Sequence, residues 1–129
     1  MSLELKKFNM NMISNDKVVV LIGKRETGKS FLVKDLLFYH KDMPVGTVIS
    51  GTEGANAFYS KIMPSIFIHG EYKPEIIKNV VKRQKKVITS IQHEVKNRGR
   101  TTIDPRAFII LVSFFSDFSM QWLHIYFFI

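Results

Sequence analysis

Gly23-Lys24-Arg25-Glu26-Thr27-Gly28-Lys29-Ser30 constrains this chain more than any other stretch. It fits the phosphate-binding loop pattern G-x-x-x-x-G-K-[ST], which needs a strand before it and a helix after it. Lys17-Val18-Val19-Val20-Leu21-Ile22 precedes it and reads as a buried parallel strand. Phe31 to Tyr39 follows it, apolar at helical spacing. Strand, glycine loop and helix in that order predict a site for a nucleoside triphosphate. The plain alternative is an ordinary glycine-containing strand–helix turn.

The chemistry follows from the residue types. Gly23 and Gly28 permit backbone conformations that a Cβ penalises, so successive N–H groups can turn inward around a phosphate. The N-terminus of the next helix adds partial positive charge. Lys29 is expected to reach the β- and γ-phosphates as the catalytic cation, and Ser30 to offer its hydroxyl to Mg²⁺. Lys24, Arg25, Glu26, Thr27 and Phe31 complete the expected ATP-binding set. Glu26 places a negative charge in a loop built for anions, so its side chain is expected to point outward, with Lys24 and Arg25 offsetting it.

A chain of 129 residues suggests one domain, small for a complete P-loop ATPase. Its net charge of +8 favours polyanionic partners. The absence of cysteine excludes disulfides, thiolate zinc sites and cysteine nucleophiles. His40, His69, His93 and His124 are scattered without metal-ligand spacing. Residues 1–16 form a polar arm with no apolar signal-peptide core, which leads to the expectation of an intracellular protein.

Gly46 to Ser50 reads as a second strand, running into the polar turn Gly51-Thr52-Glu53-Gly54-Ala55-Asn56. Ligands of open α/β sheets sit beyond the carboxyl ends of strands, so Glu53 is a candidate catalytic residue that orients water or a partner subunit. The competing reading is a turn in which Thr52 or Asn56 caps a segment from Ala57 to Met63. Ser65 to His69 is a third short strand candidate. Pro74 to Asn97 is the clearest helix, with Pro74 in the first turn and Gly99 as its stop. Ile77, Val81, Gln84, Ile88, Ile91 and Val95 fall on one face. Lys78, Lys82, Arg83, Lys85, Lys86 and Lys96 are candidate contacts for nucleic-acid phosphates, against the simpler reading of a solvated amphipathic helix.

At this point a resemblance emerges. The loop after a Val-rich strand, then Ile49-Ser50-Gly51-Thr52-Glu53 with Asn56, Phe58 and Tyr59, then Pro64, Phe67-Ile68 and Tyr72, resembles the DNA-packaging ATPases of large eukaryotic DNA viruses. These belong to the FtsK–HerA branch of P-loop ATPases, and the likeness is nearest the iridovirus and phycodnavirus type, from about Lys17 to Leu111. It implies an α/β fold, a P-loop NTPase sheet of the ASCE type with flanking helices. It also implies ATP and Mg²⁺ as cofactors, duplex DNA as partner, a homo-oligomeric ring, and action in the host cytoplasm, at a viral assembly site or in the virion.

The sequence departs from that pattern at Arg106 to Leu111, which looks like the strand that should end in the catalytic acids. Val112-Ser113-Phe114-Phe115 follows instead, and the first acid is Asp117. This chain is therefore expected to bind nucleotide poorly, or at least to fail to turn it over. From Ala107 to Ile129 there is no Lys or Arg, and half of the chain's aromatic residues lie there. A membrane anchor is disfavoured by Asp117, Gln121 and His124, and a strand pair lacks a clear turn. The preferred expectation is that the tail is foreign to the family, as translated non-coding sequence would be. The organisation expected is an N-terminal arm (1–16), the N-terminal part of a P-loop ATPase domain (17–111) and an atypical apolar tail (112–129), hence a fold incomplete at its C-terminus. The alternative function is a non-catalytic nucleic-acid-binding protein using the basic helix at residues 74–98; a small-molecule or nucleoside kinase is a third.

Overall fold

Among the described residues, strands and helices alternate along the chain until two consecutive strands close it. The computed structural model describes residues 2–24, 26–115 and 120–128. Strand β1 (Val18–Lys24) leads through the glycine loop into α1 (Lys29–Tyr39), and β2 (Val45–Ser50) follows. A one-turn helix α2 (Glu53–Asn56), two short 3₁₀ turns and β3 (Ile68–His69) come next. The long α3 (Pro74–Arg98), β4 (Ala107–Phe115) and β5 (Met120–Phe128) complete the order.

The sheet order is β1-β5-β4-β2-β3. Strands β4, β2 and β3 make a three-stranded parallel sheet, and β5 pairs antiparallel with both β4 and β1. Strand β1 therefore points the same way as the parallel set, with one strand between it and β4. The protein is an α/β fold with helices flanking a mixed sheet.

Alternation along the strands builds the core. Val48, Ile110 and Val112 pack with Val33 and Leu36 of α1, Met43 and Tyr59, and Val19 and Leu21 of β1 join them. On the alternate positions Thr47, Ile49, Ala107 and Ile109 are buried, whereas Val18, Val20 and Ile22 remain exposed, because β1 is an edge strand paired antiparallel with β5 and not the buried parallel strand expected. Met10 and Ile13 of the N-terminal arm also touch the core, and His40 Nδ1 pairs with Asn15 Oδ1 at 2.9 Å. The arm is thus partly docked on the domain.

Helix α3 starts on Pro74 and stops at Gly99, whose φ of 72° suits glycine and whose N–H donates to Val95 O at 2.8 Å. None of its residues is fully buried. Gln84 Nε2 donates to Pro105 O at 2.7 Å, and Ile76, Ile77, Val80, Gln84, Val87 and Ile91 are half-buried while Val81, Ile88 and Val95 stay 44% exposed. Ile77, Gln84 and Ile91 of the expected face are thus covered, and its other three residues are not. The expected strand at residues 65–69 shrinks to Ile68–His69, because Ser65–Phe67 closes a 3₁₀ turn after Pro64. The expected segment from Ala57 to Met63 shrinks likewise to the turn Tyr59–Lys61.

Part of the apolar tail forms a strand of the sheet. β4 continues to Phe115, and the backbone of Met120–Phe128 fills the space between β4 and β1. Its aromatic-rich sequence suits a strand. Asp117 lies outside the described residues.

Candidate nucleotide site

The loop between β1 and α1 lies at the carboxyl end of β1, where the sheet architecture puts ligand sites. Gly28 is the N-cap of α1 with φ of 86°, a left-handed conformation that only glycine adopts freely. Glu26 also has positive φ, 60°, and is exposed, as expected of a side chain turned away from an anion site. Thr27 Oγ1 donates to Lys24 O at 2.8 Å and closes the loop on itself.

Lys29 is the centre of the arrangement. It is only 8% exposed, unusual for a lysine. Its ammonium donates to Gly23 O at 2.9 Å, to Lys24 O, and to Thr27 Oγ1 at 3.1 Å. Such a buried cation is tolerated because its donors are satisfied. A Cβ on Gly23 would stand 3.0 Å from Thr27 Oγ1 and 3.6 Å from Lys29 Nζ, so the glycine leaves room for this fold-back. Ser30 follows in the first turn of α1, half-buried, and Phe31 beside it is 70% exposed. The structure thus brings Gly23, Lys24, Thr27, Gly28, Lys29 and Ser30 together around one helix N-terminus. Arg25 lies outside the described residues. A triphosphate fits the donor set: three backbone carbonyl and hydroxyl partners now hold an ammonium that an anion could claim.

Glu53 takes a different place. Its carboxylate accepts from Tyr59 N at 3.0 Å and Ser60 N at 2.7 Å, capping the turn Tyr59–Lys61. Three strand intervals separate β2 from β1, about 14 Å at the usual spacing. Glu53 caps this turn because its long side chain reaches N–H groups six and seven residues ahead. Thr52 contacts Ser50 instead, hydroxyl to hydroxyl at 3.3 Å. Phe58, fixed between Ala57 and this capped turn, meets Phe31 edge to face with centroids 6.3 Å apart. Phe58 also packs on Tyr59, at 5.1 Å. This aromatic contact across the site was not legible in the sequence, since nothing local links positions 31 and 58.

On α3, Lys78, Lys82, Lys85, Lys86 and Lys96 are all exposed, while Arg83 is half-buried and donates to Gln84 Oε1 at 2.9 Å. Burial lowers the Arg83 pKa from its ordinary value. Arg106 lies away from the loop, at the opposite end of the sheet. It grips Asp104 through NH2 at 2.7 Å and Asp42 through NH1 at 2.6 Å, tying the start of β4 to the α1–β2 connection. A cavity of about 450 Å³ opens at that same far end, between Lys34, Phe38, Gly46, Met63, Phe67 and Phe108.

Comparison with known proteins places the chain among viral sequences. It is 55% identical over 78 residues to an uncharacterized protein of Invertebrate iridescent virus 6, covering 60% of this chain and 30% of the relative. It is 37% identical over 108 residues to an uncharacterized protein of Acanthamoeba polyphaga mimivirus, covering 84% of this chain and 37% of that protein. A Frog virus 3 uncharacterized protein is 44% identical over 69 residues, covering 53% of this chain and 21% of the relative. The chain thus spans between about a fifth and two fifths of the length of these relatives. No family model and no solved structure matches.

These relatives correct the assignment to the DNA-packaging ATPases. Each is described only as an uncharacterized protein, and nothing among them indicates a packaging motor. The structure supplies a physical reason for caution about the segment that drove the choice. Gly51-Thr52-Glu53 with Asn56 forms a turn whose carboxylate is occupied in capping. A glycine loop between a strand and a helix is common to many nucleotide-binding proteins and selects none of them. Among the described residues, no helix is long and apolar enough to cross a membrane.

Proposed function

We propose that this chain is the nucleoside-triphosphate-binding part of a larger viral protein that acts in the infected cell. The reading places a P-loop NTPase core in residues 17–111, with Lys29 against the β- and γ-phosphates and Ser30 on Mg²⁺. Backbone N–H groups from Glu26 to Ser30 would line the phosphates. The observation that carries it is the buried Lys29 ammonium, folded onto Gly23 O, Lys24 O and Thr27 Oγ1 at the N-terminus of α1. No carboxylate is present from Ala107 to Phe115, where an acid beside the metal would be needed. The chain on its own therefore binds triphosphate without turning it over.

Calorimetric titration of the 129-residue protein with Mg–ATP, beside Lys29→Ala, tests this. Micromolar to millimolar binding in the parent and its loss in the variant, with unchanged circular dichroism, is the expected result. Equal affinity in both proteins refutes the reading.

A second reading rests on α3, where the lysines at 78, 82, 85, 86 and 96 are all solvent-exposed on one basic helix. This surface suits sequence-independent contact with nucleic-acid phosphates. Duplex DNA affinity that falls steeply with salt and survives Lys29→Ala would favour it.

A further inference from the structure

We propose that Phe31 and Phe58 form a base-stacking subsite, which makes the nucleotide site tolerant of any nucleobase. The inference rests on the triphosphate reading above and adds the other half of the ligand.

Three observations carry it. Phe31 directly follows Ser30 in the first turn of α1, and 70% of its surface is open. Side chains on a helix lean toward its N-terminus, so a residue here covers the approach to the loop. A base is joined to its α-phosphate through a single ribose, so it lies close in space to the phosphate-binding turn. Phe58 then braces Phe31 edge to face at 6.3 Å, with an interplanar angle of 79°.

The brace is itself anchored. Phe58 packs against the core cluster, and Tyr59 behind it is 3% exposed. The Glu53 carboxylate fastens the backbone at Tyr59 and Ser60. An exposed phenylalanine alone is ordinary on a protein surface. One braced by a second ring that is held from the core, beside a phosphate loop, presents a preorganised flat face. Every base has a π-face, so recognition by stacking discriminates weakly among bases. The Glu53 turn thus serves the site by positioning an aromatic ring.

The experiment compares Mg–ATP, Mg–GTP, Mg–CTP and Mg–tripolyphosphate by calorimetry on the parent, on Phe31→Ala, on Phe31→Trp and on Phe58→Leu. Phe31 is exposed, so its variants should fold. In the parent, the three nucleotides should bind within a few-fold of one another and at least tenfold tighter than tripolyphosphate. Phe31→Ala should weaken all three by on the order of tenfold, leave tripolyphosphate unchanged, and be rescued by Phe31→Trp. Phe58→Leu should weaken them less. Tripolyphosphate binding as tightly as ATP in the parent, or Phe31→Ala leaving ATP unchanged, overturns the stacking subsite while the phosphate site stands. A preference for one base of a hundredfold overturns the base tolerance. If neither nucleotide nor tripolyphosphate binds, the triphosphate reading falls and the subsite with it.

Discussion

Gly46→Ala probes the packing at the end of the sheet opposite the nucleotide loop. Gly46 of β2 and Phe108 of β4 are register partners, and the Phe108 ring lies over the glycine. A Cβ at Gly46 would stand 2.1 Å from Cζ and 2.4 and 2.5 Å from the Cε atoms of that ring. Ordinary carbon contact begins near about 3.5 Å, so the ring must retreat by more than about 1 Å. Overpacking of this kind costs roughly 1–3 kcal/mol. The adjoining cavity of about 450 Å³ gives the ring somewhere to go, which argues for the lower half of that range. Removing the glycine's freedom from the unfolded chain returns about 0.4–1 kcal/mol. The net expectation is a loss of about 1 kcal/mol, a fall of several degrees in Tm.

Urea unfolding of the parent, Gly46→Ala, Phe108→Leu and the double variant forms the assay. The smaller leucine clears the Cβ, so the double variant should be more stable than the two single effects predict, by about 1 kcal/mol. Additivity within about 0.5 kcal/mol refutes the steric argument. So does a Gly46→Ala protein as stable as the parent. Nucleotide affinity should stay unchanged in all four proteins, because the loop lies at the other end of the sheet.

Two further predictions concern buried and paired polar groups. Tyr59 Oη is buried with no hydrogen-bond partner among the described residues, and burial raises its pKa far above the ordinary tyrosine value. Tyr59→Phe should therefore leave stability unchanged or raise it by about 1 kcal/mol in a thermal melt, and a clear loss would reveal a partner for the hydroxyl. Hydrogen bonds from the Arg106 guanidinium hold the Asp104 and Asp42 carboxyls below their ordinary value of 3.8. Carboxyls depressed in this way contribute stability that is present above about pH 4 and lost as the pH falls through the folded-state values. The stability gap between the parent and Arg106→Met should accordingly narrow from pH 5 to pH 2. A gap independent of pH would mean that the pairing contributes nothing.

Much of the local structure was legible in the sequence because its causes are local. Val18 to Ile22 and Val45 to Ser50 form strands, and Pro74 and Gly99 bound the long helix, since proline, glycine and side-chain periodicity act within a few residues. The glycine turn was legible for the same reason: Gly28 supplies the positive φ that caps α1, and Lys29 follows it directly. The sequence by itself therefore determined the strand–loop–helix unit, the basic surface of α3 and the lack of an acid on β4.

Tertiary structure decided the rest, because pairing between distant segments leaves no local trace. Met120–Phe128 takes the place between β1 and β4 by pairing its backbone with both, which apolar composition alone does not dictate. Glu53 becomes a cap because the chain turns back over it, and Arg106 becomes a clamp because Asp42 lies 64 residues away in sequence and 2.6 Å away in space. The burial of Lys29 against its own loop and the meeting of Phe31 with Phe58 belong to the same class. Sequence named the residues proposed to hold a triphosphate; the packing of one turn against α1 decided that Phe58 meets Phe31.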